Sequence, residues 1–254
     1  MLHYQLEGAD QAPTVVLIHG LFGDLDNLGQ LGRHLAADWR VLRLDLRNHG
    51  RSPHAEHMDW PALSADLAAL LHHLQIDSCH LVGHSLGGKL AMYHTLQHPL
   101  QVKGLVVVDI APVRYTTPRH TAVFAALQAV AAAGLTRRSE ADQLMQQWLP
   151  EAGVRQFLLK SLDSHGWRFN LDALHAAYPQ LMDWPTGPLS PWPGPVLFIK
   201  GGKSDYLLPE HQTAISHLFP AARAHILPDA GHWLHAEKPQ RFQQLVVDFL
   251  STCG

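Results

Sequence analysis

Cysteine is almost missing from this chain: Cys79 and Cys253 are its only two. That excludes a disulfide framework and leaves no thiol pair at metal-ligand spacing. An excess of one charge is missing too. The formal net charge is −3, so there is no basic footprint for a polyanion and no nucleic-acid partner is expected. No long uncharged apolar run is present, so no membrane association is expected. The opening residues, MLHYQLEGADQAPTVVLIHG, lack a basic stretch followed by an apolar segment and a cleavage site. A cytoplasmic location is therefore expected. Internal repeats and low-complexity tracts are absent. Histidine, by contrast, is plentiful at 20 residues. Neither His72 with His73 nor the pair His94 and His98 has a cysteine or carboxylate at ligand spacing, so no metal is expected there.

What is present suits one globular core of enzyme size. The chain has 254 residues, of which 46% are hydrophobic and 16% charged. Short apolar runs recur between turn residues: TVVLIHG, RVLRLDLRNHGRS, CHLVGHS, KGLVVVDIAP, GPVLFIKGG and AHILPDAGH. Amphipathic helical stretches such as PALSADLAALLHHLQI and KPQRFQQLVVDFL alternate with them. Near-continuous Val/Leu/Ile strands alternating with helices predict an α/β fold, a mostly parallel sheet covered on both faces. Between Ala111 and about Pro185 the alternation stops. That stretch reads as helical, with no strand. It predicts a helical cap, residues 112–185, inserted into a core made of residues 1–111 and 186–254.

The sharpest local signal is Gly83-His84-Ser85-Leu86-Gly87, at the corner between a strand and a helix. Glycines on both flanks let strand and helix fold back closely, and the serine oxygen is left pointing outward. The Leu86 amide then lies at a helix N-terminus, where unpaired donors favour an oxyanion. The loop HGLFG, His19 to Gly23, can supply a second donor, the Leu21 amide. DLRNHGRS packs beneath this site as a strand-end loop. His232, in DAGHWLHAEKP, is placed late enough in the chain to act as base in the order Ser…Asp…His.

These blocks carry a resemblance. Over essentially its whole length the sequence resembles the α/β-hydrolases, and within them the bacterial YbfF-type esterases. The resemblance rests on HGLFGDLDNLG, DLRNHGRSP, GHSLGGKLAM, VVVDIAPVRY, RQFLLKSL, WRFN and GHWLHAEKP. It implies hydrolysis of small carboxyl esters, with acyl thioesters also within range, and a cap over the pocket. Ser85 would attack the carbonyl, His232 would carry the proton, and no cofactor would be needed. A dehalogenase or epoxide hydrolase would carry an aspartate in place of Ser85. A perhydrolase, a C–C hydrolase or a small-ester binding protein with vestigial turnover would keep the same residues. Two carboxylates compete for the acid position, Asp109 in VVVDIAP and Asp205 in GGKSDYLLP. The resemblance favours Asp109. Arg47 and His49 are expected either to touch substrate or to brace the strand-end loop, Lys89 to be solvated behind Ser85, and Arg114 and Tyr115 to open the cap, within reach of a substrate head group. Oligomeric state is not legible.

Overall fold

A computed structural model describes residues 1–253 apart from Thr186 and Pro188. The expected return from cap to core at residue 186 therefore falls outside the described residues. The apolar runs become strands β2 (Thr14–Ile18), β3 (Arg40–Leu44), β4 (Cys79–His84), β5 (Val102–Val108), β8 (Val196–Gly201) and β9 (Ala222–Leu227). An edge strand, β1 (Tyr4–Glu7), was not legible. The sheet order is β1-β3-β2-β4-β5-β8-β9, with β1 antiparallel and every other pairing parallel. This is the α/β architecture the patterning predicts. β2 and β4 are buried along their whole length, which is why they read as unbroken apolar runs rather than alternating ones.

Helices cover both faces. On one side α1 (Gly29–Leu35), α9 (Leu234–Glu237) and α10 (Pro239–Leu250) pack Leu31, Leu234, Phe242 and Val246 on Val15, Leu17 and Val106. On the other, α2 (Trp60–His73), α3 (Leu86–Gln97) and α8 (Gln212–Leu218) pack Leu63, Leu67, Leu90 and Leu218 on Val16, Leu81 and Leu105. A 3₁₀ turn, Pro209–His211, precedes α8. Helix α2 starts where it does because the Asp59 side chain accepts from the Ala62 amide at 2.8 Å, with Pro61 in the first turn.

Between β5 and β8 lies an inserted helical segment, with α4 (Thr121–Ala132), α5 (Arg138–Met145), α6 (Ala152–Leu159) and α7 (Leu171–Met182). It is not free of strands, as the sequence had suggested. β6 (Leu162–Asp163) and β7 (Gly166–Trp167) form a short antiparallel hairpin. Gly166 turns it at φ 106°, a backbone region open to glycine. Two residues per strand are too few to show alternation. Among the described residues no helix is long and apolar enough to cross a membrane.

Candidate active site

The parallel strands all end on one side of the sheet, and the chemistry gathers at those ends. β4 runs straight into Ser85, and α3 begins at the next residue. The corner is tight. A Cβ on Gly83 would overlap the Gly87 carbonyl, and one on Gly87 would overlap the Ile18 carbonyl. Ser85 is held at φ 52°, ψ −117°, a backbone conformation that costs a non-glycine residue about 1–3 kcal/mol. Its amide is tied to Val108 O at 3.0 Å, so β5 braces the turn.

Three side chains from three strand ends form one hydrogen-bonded chain. Ser85 Oγ lies 3.0 Å from His232 Nε2. His232 Nδ1 lies 2.7 Å from Asp109 Oδ2. A carboxylate only accepts, so Nδ1 carries the hydrogen and Nε2 is left bare toward the serine. Asp109, at the end of β5, has a side chain 0% exposed. Its other oxygen, Oδ1, accepts from the Gly201 amide at 2.9 Å, and Ser204 Oγ donates to Oδ2.

Asp205 is not brought to the histidine. Its side chain is 71% exposed and pairs with Arg119. It reaches His232 only through stacking. The Arg119 guanidinium lies 4.4 Å above the Tyr206 ring, which stacks on the His232 ring at 3.9 Å. Sequence reasoning missed Ser204 and Tyr206, although they flank Asp205 in the same SDY tripeptide.

The loop carrying Leu21 is held by two neutral histidines. His19 Nδ1–H donates to Gly20 O at 2.7 Å, and Nε2 accepts from the Leu46 amide at 3.0 Å. His49 Nδ1–H donates to Arg47 O at 3.0 Å, and Nε2 accepts from the Phe22 amide at 3.1 Å. Burial pushes His19 down to about 4 and, with the neighbouring His19, pushes His49 down to about 3. With Phe22 engaged, the Leu21 amide is the next donor along. Neither it nor the Leu86 amide bonds to another described residue. His84 Nε2–H donates to His232 O at 2.8 Å and so steadies the histidine loop. Burial, together with His235 and His232, holds His84 well below the usual histidine range.

Five side chains singled out in the sequence have structural partners. Arg47 pairs with Asp66 at 2.6 Å, and His49 is a loop brace. Tyr115 accepts from the Ala111 amide at 2.9 Å and donates to Tyr206 O. Arg114 is exposed, 4.0 Å from Asp183. Lys89 was expected to be solvated, and is instead 2% exposed. Its Nζ donates to Met182 O at 3.0 Å and Asp183 O at 2.9 Å, at the end of α7. Burial pushes its ammonium down to about 7, with Asp183 opposing. The end of α7, about ninety residues downstream, covers it.

Over the serine lies a cavity of about 330 Å³, lined by Phe22, Val123, Leu149, Phe157 and Trp233 among others. A match to the alpha/beta hydrolase family spans residues 15–245. The chain belongs to that family. It is 44% identical to Esterase YbfF of Escherichia coli (strain K12), over 93% of this chain and 92% of that one. It is 43% identical to the sn-1-specific diacylglycerol lipase ABHD11 of Mus musculus, over 97% of this chain and 83% of that one. Among solved structures, one titled "Marine microorganism esterase" superposes with a TM-score of 0.93 at 34% identity, covering 98% of both chains. The chain is thus an α/β-hydrolase closely resembling the YbfF esterases.

Proposed function

We propose that the chain is a serine hydrolase of small carboxyl esters that works through an acyl-enzyme on Ser85. The observation that carries this reading is the unbroken chain from Ser85 Oγ through His232 to buried Asp109. The relatives named as an esterase and a diacylglycerol lipase supply the substrate class. Ser85 Oγ attacks the carbonyl carbon while its proton passes to His232 Nε2. Asp109 holds the tautomer and stabilises the imidazolium that forms. The Leu21 and Leu86 amides receive the oxyanion, each worth about 2.7–4 kcal/mol by analogy with measured oxyanion donors. The carbon–oxygen bond of an ester, or the carbon–sulfur bond of a thioester, then breaks. Its leaving atom takes the proton from His232. Water, deprotonated by the same nitrogen, releases the acid and restores Ser85.

The test is turnover of a chromogenic short-chain ester by the wild type and by Ser85→Ala. The reading expects turnover in the first and background in the second, with both folded. Wild-type protein without turnover would refute it, as would undiminished turnover in Ser85→Ala.

A further inference from the structure

Only one nitrogen of His84, the residue before the nucleophile, is used in supporting His232. Its Nε2–H donates to His232 O at 2.8 Å. A carbonyl only accepts, so Nε2 carries the hydrogen, and in the neutral ring Nδ1 is left a bare acceptor. Burial, with His235 and His232 beside it, keeps the ring neutral. Nδ1 has no hydrogen-bond partner among the described residues, although His84 is only 5% exposed. A buried acceptor without a donor is destabilising. The position calls for a donor that the chain itself does not supply.

The ring borders the cavity over Ser85, together with Gly20, His232 and Trp233. Glycine at position 20 keeps Nδ1 uncovered. A Cβ there would sit 3.0 Å from His84 Nδ1 and 3.3 Å from Ser85 Cβ. One carbon-sized position thus touches both the bare acceptor and the side chain of the nucleophile. The His84 and His232 rings lie 4.8 Å apart between centroids. The leaving atom must reach His232 Nε2, the nitrogen that protonates it. A leaving group that starts there and follows this wall passes Nδ1 within its first few atoms.

We propose that His84 Nδ1 is a recognition point for a hydroxyl on the leaving alcohol, so that monoesters of diols and other hydroxylated alcohols are preferred over plain alkyl esters. The inference rests on the acyl-enzyme reading above and adds what the leaving group must offer. The hydroxyl donates to Nδ1, and Nε2 keeps its bond to His232 O throughout. Recognition and the bracing of the catalytic histidine then share one ring.

The experiment compares kcat/KM for acetate esters matched in heavy atoms: 2-hydroxyethyl against propyl acetate, and 3-hydroxypropyl against butyl acetate. The corresponding methoxy esters are controls, since their oxygen accepts but cannot donate. Release of acetic acid is followed in a pH-stat. One hydrogen bond is worth about two- to twelvefold, so in at least one pair the hydroxylated ester should lead both its alkyl partner and its methoxy control by that factor. His84→Gln carries an amide nitrogen to the Nε2 position but has no ring nitrogen at Nδ1, and should bring the preference down to about one whatever its absolute rate. Glu151→Ala removes an exposed acceptor that borders the same cavity and should keep the preference. No hydroxyl preference in either wild-type pair would overturn the proposal. So would a preference that survives in folded His84→Gln, or one that disappears in Glu151→Ala. Thermal melts establish folding, and if His84→Gln does not fold, the wild type and Glu151→Ala decide. Failure of the underlying reading looks different: no ester is turned over and a fluorophosphonate leaves Ser85 unlabelled.

Discussion

Replacing Asp109 by asparagine exchanges one carboxylate oxygen for an NH₂ group and changes almost no volume, and the structure dictates how the amide must sit. The Gly201 N–H can only donate, and it points at Oδ1 from 2.9 Å. The asparagine must keep its oxygen there. Its NH₂ group then occupies the Oδ2 position, 2.7 Å from His232 Nδ1. Two donors cannot face each other, so Nδ1 must lose its hydrogen and Nε2 must gain one. The histidine then presents N–H to Ser85 Oγ where it had presented a lone pair, and it can no longer accept the serine's proton. In the serine-protease case the same inversion costs ~10⁴-fold in kcat, about 5.4 kcal/mol of activation free energy. We expect a loss of that order in Asp109→Asn, measured as kcat on a chromogenic acetate ester. Thermal melts should show the fold retained. Asp205→Asn, which alters only an exposed pair with Arg119, should keep activity within a few-fold, about 1 kcal/mol at most for such a pair. Asp109→Asn with more than about a tenth of wild-type kcat, a deficit under 1.4 kcal/mol, would refute the reasoning. So would a severe loss in Asp205→Asn.

Three further outcomes are expected. Lys89 falls from 10.5 unfolded to about 7 folded, so between those values the unfolded chain binds the extra proton and stability rises with pH. The rise should approach about 1.4 kcal/mol per pH unit in denaturant melts and should vanish in Lys89→Met; a persisting slope would contradict it. His19 and His49 fall from 6.5 to about 4 and about 3, so their contribution is complete above pH 6.5. It is lost as the pH drops toward those values, at about 1.4 kcal/mol per unit for each, and His49→Gln should flatten the acid limb of a pH–stability curve. Gly87→Ala drives a Cβ into the Ile18 carbonyl; it should lower the melting temperature and abolish turnover, and a wild-type-like melt would refute the close-approach argument.

The sequence shows some of these features clearly and others not at all, for physical reasons. The elbow was legible because Gly83 and Gly87 are demanded by backbone contacts made within a few residues and across one strand. The central strands were legible because burial on both faces leaves no polar interruption in β2 or β4. β1 and the hairpin β6–β7 were not, since four and two residues per strand carry too little pattern. Choosing between Asp109 and Asp205 from residues alone was impossible. Both follow core strands, and only the fold makes one fully buried beside His232 and turns the other outward to Arg119. Lys89 was misread for a similar reason. A lysine in the first turn of a helix is ordinarily solvated, and what covers it here, the end of α7, lies far along the chain. Tyr206 carries no motif of its own, and its stacking on His232 exists only in three dimensions.

The central claim is that Ser85 forms the covalent acyl-enzyme. Intact-mass spectrometry after treatment with a fluorophosphonate, followed by peptide mapping, tests it most directly. The account predicts one adduct per chain, on the peptide containing Ser85, lost in Ser85→Ala and strongly slowed in Asp109→Asn. An adduct on any other residue, or one that persists undiminished in Ser85→Ala, would contradict it.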